Sequence, residues 1–188
     1  KQLMLETSIY HYMFCYDLDE EENEVGYPTS YFQELYDYSN GILTDSNYLK
    51  DKLEKRHSIP TSSGKIFNLK SPTEPVSKVP SRPELTSMDN RINIFWAGRF
   101  DRQKIFDVFL DITKICPEFN FYAWGKIVLD NTKTYNIPSN LKIFHPFDSI
   151  DSIPLEKCHL WLYTSAWDGV PTLLLEVISR RIPIVGSL

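Results

Sequence analysis

From residue 91 onward, short apolar runs alternate with longer stretches whose apolar side chains recur every three or four positions. Ile92–Ala97 (INIFWA), Phe119–Trp124 (FNFYAW), Leu141–Phe144 (LKIF) and Leu160–Tyr163 (LWLY) read as buried strands, and Ile182–Val185 as a further one. Lys104–Ile115 has helical spacing, with Phe106, Phe109, Leu110 and Ile112 on its apolar side. A short helix near Pro154–Lys157 precedes the strand at Leu160. After Tyr163 come a polar turn, Asp168-Gly169-Val170-Pro171 and a helix-like segment. Strand–helix alternation of this kind predicts a mostly parallel sheet with helices on both faces. In such sheets ligands bind beyond the C-terminal ends of the strands. The loops at Gly98–Lys104, Gly125–Lys126, Pro146–Phe147 and Asp168–Thr172 all follow strands and should gather at that edge.

The first 69 residues have the same character in a shorter form. Ser30–Tyr38 has helical spacing, Gly41–Thr44 reads as a strand, and Asp45/Ser46 can cap a helix of about Asn47–His57, ended by Pro60. Lys65–Leu69 is another strand. Residues 70–90 (KSPTEPVSKVPSRPELTSMDN) hold four prolines and almost no large apolar residue, the composition of a linker. The expected organisation is a partial α/β domain at 1–69, a Pro-rich interdomain linker at 70–90, and a Rossmann-like, doubly wound α/β domain at 91–188. The chain begins at Lys1 and stops just after a strand-like run, so a piece of a longer protein, cut at both ends and with its second domain truncated at the C-terminus, is expected.

Composition narrows the classes. A net charge of −5 argues against nucleic acid as a partner, because phosphate backbones demand a basic face. Acidity concentrates at Asp17–Glu24 (DLDEEENE), read as a solvated loop, with metal binding as the sharper alternative. Cys15, Cys116 and Cys158 are widely spaced and form no CxxC pair, so neither a zinc site nor a disulfide framework is indicated, and a reducing cytoplasm is expected. No window has the apolar length of a membrane span, and no signal peptide is expected. His11, His57 and His159 lack metal-ligand spacing. Cys158 and His159 are adjacent, so on a strand they would point to opposite faces and form no dyad.

Two constellations carry chemistry. Gly98 lets the chain turn after a strand. Arg99 and Lys104 then flank the next helix start, a planar fork and a point charge that can aim at one anion. The bland alternative is a basic surface loop. Asp168 and Glu176 sit around a later helix mouth, where free N–H groups and the helix dipole favour phosphate. Here the bland alternatives are a helix cap and a solvated helical position. Two cations and two acids at one sheet edge suit a diphosphate between two hydroxyl-bearing rings. His145 follows a strand and can line the same cleft or pack. Trp96, Trp124 and Trp161 read as core, and Trp167 lies in the site loop.

These residues bring a family into view. Strand–GRFDRQK–helix, followed by SAWDGVPTLLLEVISRRIPIV, resembles the C-terminal domain of retaining glycosyltransferases of family 4, with the GT-B fold. The resemblance covers residues 91–188, and residues 41–75 look like the end of the family's N-terminal domain. It implies a nucleotide-sugar donor held by this domain. Arg99 and Lys104 match the basic pair that holds the donor diphosphate. Asp168 matches the acid that contacts the donor sugar, and Glu176 the one that contacts the ribose. Gly169, Val170, Pro171 and Thr172 would offer backbone N–H groups where they have them, and Phe147 lies in the region near the base. Gly98 and Gly125 complete the donor-binding set. No metal and no other cofactor is implied. The chain departs from the family at Asp168, where Glu is usual, at Ile105, where Gly often follows the Lys, and after Gly125, where glycines are fewer.

The expected function is transfer of a sugar from a nucleotide-sugar donor to an acceptor hydroxyl, with retention, in surface polysaccharide biosynthesis. The acceptor would be a glycan or a lipid-linked molecule. The setting would be cytoplasmic, with peripheral membrane association of the full-length protein at the inner face allowed for. The fragment alone would be inactive, because such sites lie between two domains. The rival is a non-catalytic nucleotide- or partner-binding α/β module, a degenerate transferase domain. A flavodoxin-like or receiver-type domain would need acids after the first strand of this sheet, where Gly98-Arg99 stands instead.

Overall fold

The computed structural model describes residues 17–18, 24–25, 32–70, 72–73, 76, 79–84, 91–127, 135–166, 168 and 170–186. The chain divides into two compact units at Pro72/Thr73, with the Trp167–Pro171 segment grouped with the first. Among the described residues no helix is long and apolar enough to cross a membrane.

In the first unit, the ends of the acidic run pair as two short antiparallel strands, β1 (Asp17–Leu18) and β2 (Glu24–Val25). The expected solvated loop is thus a strand pair at its ends, while 19–23 lie outside the described residues. Helix α1 (Phe32–Tyr38) leads to β3 (Ile42–Thr44), helix α2 (Asn47–Arg56) and β4 (Ile66–Asn68). Strands β3 and β4 pair in parallel, as a β–α–β crossover requires. Ser46 caps α2, its side chain accepting from Leu49 N–H at 3.2 Å. Phe32, Ile42, Leu49, Leu53, Ile59 and Ile66 form this unit's core.

The second unit is a five-stranded parallel sheet of β5 (Asn93–Ala97), β6 (Asn120–Trp124), β7 (Leu141–Phe144), β8 (Leu160–Tyr163) and β9 (Ile184–Gly186). The strand order is β7-β6-β5-β8-β9. Helices α3 (Phe106–Ile115) and α4 (Thr172–Ser179) cover it from opposite faces. Alternation along β5 makes this possible, because successive side chains point to opposite faces. Ile94 and Trp96 join Phe106, Phe109, Leu110 and Phe121 on one side. Phe95 joins Trp161, Val177 and two short 3-10 turns, Ile150–Ser152 and Leu155–Lys157, on the other. Burying a side chain of Phe or Leu size stabilises by roughly 1.5–3 kcal/mol, so these two clusters hold the sheet between its helices.

The last strand runs Ile184–Gly186 rather than Ile182–Val185, several other element ends differ by a residue, and helix α3 differs from the sequence reading in its start and its buried side. Helix α3 begins at Phe106, not at Lys104, because Asp101–Lys104 form a turn and Ile105 takes a left-handed φ of 44°. Its buried side continues to Thr113 rather than Ile112, which is half-buried. Positions 106, 109, 110 and 113 follow the helical repeat more closely, and the Thr113 hydroxyl is satisfied by donating to Leu110 O at 2.7 Å.

The order reverses between β5 and β8. The chain leaves β5 toward β6 on one side, and returns to place β8 on the other. The chain after β5 and the chain after β8 therefore lead to helices on opposite faces of the sheet, the topological switch point at which open α/β sheets bind ligands.

Candidate functional site

At the C-terminal ends of β5, β6 and β7 the backbone ladder runs on into the loops. Gly98 N–H donates to Trp124 O at 3.0 Å, Phe100 N–H to Lys126 O at 3.0 Å, and Gly125 N–H to Phe144 O at 3.1 Å. The approach is close enough to demand glycine. A Cβ on Gly125 would lie 1.9 Å from Gly98 O, and one on Gly98 would lie 3.1 Å from Lys104 Cγ. Gly98, Gly125 and Lys104 thus meet at one point. The two glycines let the backbones and the lysine stem pack together.

Asp101, not singled out from the sequence, organises the loop between β5 and α3. Its side chain is 5% exposed. Oδ1 accepts from Lys104 N–H at 3.0 Å, a local cap that ends the turn. Oδ2 pairs with Arg99 Nε at 3.0 Å. Arg99 also donates to Gln103 Oε1. The Arg99 side chain is 48% exposed, so it stays accessible to an anion. The signal for Asp101 was in the sequence: an Asp three positions before Lys104 at a helix entry is a capping pattern.

Lys104 is half-buried, with Nζ 6.0 Å from the centroid of the Tyr163 ring. The segment after β8 holds the loop from the other side of the switch point. Thr164 Oγ1 donates to Lys104 O at 2.8 Å, and Ala166 N–H donates to Gln103 O at 2.9 Å. Trp96 is buried, as the sequence implied, and its indole N–H donates to Thr164 Oγ1 at 2.9 Å.

Thr172 begins α4 and Glu176 lies one turn further on, half-buried. The Glu176 backbone carbonyl accepts from Ser179 Oγ and from Arg180 NH1. Arg180, 2% exposed, is tied to Asp151 at 2.7 Å and so belongs to the packing of α4 on the 3-10 turn at Ile150–Ser152. Phe147 packs against the cluster on the α4 face of the sheet, while His145 is exposed.

In the first unit, Asp168, Val170 and Pro171 are half-buried. Val170 N–H, expected to face a donor, instead donates to Asp45 Oδ2 at 2.9 Å. The other oxygen, Asp45 Oδ1, is buried and has no hydrogen-bond partner among the described residues. The sequence places Asp45/Ser46 at the cap of α2, and Ser46 is the one that takes it. Gly169 and Trp167 lie outside the described residues.

At the opposite edge of the sheet, Cys158 and His159 precede β8 and form no dyad. Cys158 Sγ donates to Leu160 O at 3.4 Å, and burial pushes the thiol up to about 12, leaving it protonated and inert. His159 Nδ1 accepts from Asn93 N–H at 3.0 Å, and desolvation lowers its pKa, favouring the neutral ring. Among the described residues no three of His, Cys, Asp and Glu come together as a metal-holding group.

Comparison with known proteins gives the fold its class. Staphylococcus aureus TarM, solved with fondaparinux, α-GlcNAc-glycerol and UDP, is 14% identical and superposes with a TM-score of 0.73 over 97% of this chain and 38% of its own. The pneumococcal O-GlcNAc transferase GtfA, solved with UDP and GlcNAc, is 15% identical, with a TM-score of 0.61 over 94% of this chain and 37% of its own. A GtfA/B complex gives 14% identity and a TM-score of 0.64, over 94% of this chain and 37% of that one. The chain has the fold of the GT-B glycosyltransferases, and spans less than two-fifths of the length of these structures. No family profile matches the chain, and no curated protein sequence matches it.

Proposed function

We propose that this chain carries the donor-binding part of a glycosyltransferase that moves a sugar from a nucleotide sugar to an acceptor hydroxyl with retained configuration. The observation that supports this most is the loop after β5. A lysine and an arginine are held at the switch point of the sheet by Asp101, Thr164 and two glycines that permit close packing. Preorganised cations act where charge develops. In this reaction that place is the diphosphate, which keeps the electron pair when its bond to the anomeric carbon breaks. Lys104 and Arg99 would take up that charge, and Asp168 would contact the sugar. Glu176 would contact the ribose, and Phe147 would lie near the base.

On this reading no metal is required. The acceptor is a glycan or lipid-linked molecule of surface polysaccharide assembly, handled in the cytoplasm or at the inner membrane face. The UDP found with TarM and GtfA makes a uridine nucleotide the first to try. One observation favours the second reading, a non-catalytic nucleotide- or partner-binding module. The Val170 N–H that a donor would use is engaged by Asp45.

Calorimetric titration with UDP, GDP and ADP tests the proposal. One nucleotide should bind, and Lys104→Ala and Arg99→Ala should each weaken it by about tenfold, the scale of one charge-assisted hydrogen bond. A folded protein that binds none of the three would support the non-catalytic module instead.

A further inference from the structure

Lys104 enters the site from a backbone that would not hold its shape by itself. The next residue, Ile105, is β-branched and sits at φ 44°, ψ 55°. That region is costly for such a side chain. Something must fix the peptide between Lys104 and Ile105, and its carbonyl shows what does. Lys104 O accepts from Thr164 Oγ1 at 2.8 Å, across 60 positions of sequence. Thr164 Oγ1 in turn accepts from Trp96 Nε1 at 2.9 Å, inside the core. A hydroxyl has one proton and two lone pairs. The indole occupies a lone pair, so the proton is directed at Lys104 O. Thr164 and Trp96 are 5% and 2% exposed, so water does not substitute for either bond.

We propose that Thr164 is the positioning residue for Lys104. Its hydroxyl, oriented by the Trp96 indole, sets the 104–105 peptide, and with it the direction in which the lysine stem crosses Gly98 toward the strand ends. Ala166 N–H on Gln103 O supports the same segment one residue earlier. This inference rests on the donor-site reading, because it assigns Thr164 an effect on nucleotide affinity that acts only through Lys104.

The test is UDP titration of the wild type, Thr164→Val, Thr164→Ser, Lys104→Ala and the double variant Thr164→Val/Lys104→Ala, each checked for a cooperative thermal melt. Valine keeps the shape and removes the hydroxyl. Thr164→Ala replaces it if the valine variant does not fold. Thr164→Val should weaken UDP by about tenfold, and Thr164→Ser should stay within about twofold of wild type, since one hydrogen bond is at stake. In the Lys104→Ala background the valine change should add no further loss, because the residue it positions is gone. A purely structural Thr164 would give additive losses, or no loss in affinity at all, and either result overturns the proposal. Wild-type protein that binds no UDP, GDP or ADP would remove the donor-site reading itself and this inference with it. Nucleotide binding that is indifferent to Thr164 would remove only the inference.

Discussion

Ile105 is one of the positions where the sequence departs from the family it resembles, and its backbone is left-handed. Its φ of 44° is what a glycine adopts freely and a β-branched residue resists. Ile105→Gly and Ile105→Ala both delete the side chain, but only glycine relieves the backbone. The glycine variant should therefore be the more stable of the two by about 1 kcal/mol, the reverse of their usual order near a helix; chemical denaturation measures it. Cys158 gives a second prediction. Its thiol is near 12 in the fold against 9.0 ordinarily. Between those values the unfolded chain has lost the proton that the folded chain keeps, so stability falls as pH rises. The effect is fully present below about pH 9, and the slope approaches about 1.4 kcal/mol per pH unit. Urea midpoints at pH 8 and pH 10 should fall further for wild type than for Cys158→Ala. Equal falls would mean the thiol titrates normally. Asp101 and Thr164 escaped the sequence reading for different reasons. Asp101 acts locally and its capping pattern was visible, but the Thr164 bond spans 60 residues, which no spacing rule reaches.

At the scale of elements, the strand ends depend on one close approach. A methyl group on Gly125 would collide with Gly98 O at 1.9 Å, and backbone on both sides leaves no flexible partner to give way. Gly125→Ala should cost about 3 kcal/mol. Gly64→Ala, at φ 60° but with open space around it, should cost about 1 kcal/mol. Denaturation of both variants separates collision from strain, and similar losses would mean that the β5–β6 ends can part at little expense. Most of the sheet was legible in advance. Its strands are runs such as INIFWA and FNFYAW, whose alternate residues meet different helices, so the pattern and the packing carry the same information. Helix starts were less legible. Lys104 has good helical spacing with Phe106 onward, yet the Asp101 cap and the tether to Thr164 hold it in a turn. Arg180 shows the same limit. In sequence it is one of two basic residues ending a helix, whereas in the fold it is buried against Asp151.

At the scale of the molecule, the chain is acidic overall, with a net charge of −5, so a long-range field does not explain anion binding. Whatever anion it takes must be captured by local geometry, and the geometry differs between the two units. The second has the switch point, with Lys104 and Arg99 on the loop after β5 and α4 beginning after β8. The first has a two-stranded parallel pair whose helix start is already satisfied by Ser46. Hydrogen exchange with and without saturating UDP should therefore give a localised answer. A ligand at a hundred times its dissociation constant stabilises the state it binds by about 2.7 kcal/mol, which slows any exchange that requires the site to open. Amides of 98–104, 125–127 and 172–176 should slow, together with Ala166, whose N–H is bonded to Gln103 O. Amides of β3, α2 and β4 should keep their rates unless they open together with the second unit. Slowing confined to 42–68 would place nucleotide recognition in the wrong unit and sink the donor-site reading. Slowing at 98–104 without any at 172–176 would keep the cationic loop and remove α4 and Glu176 from the site.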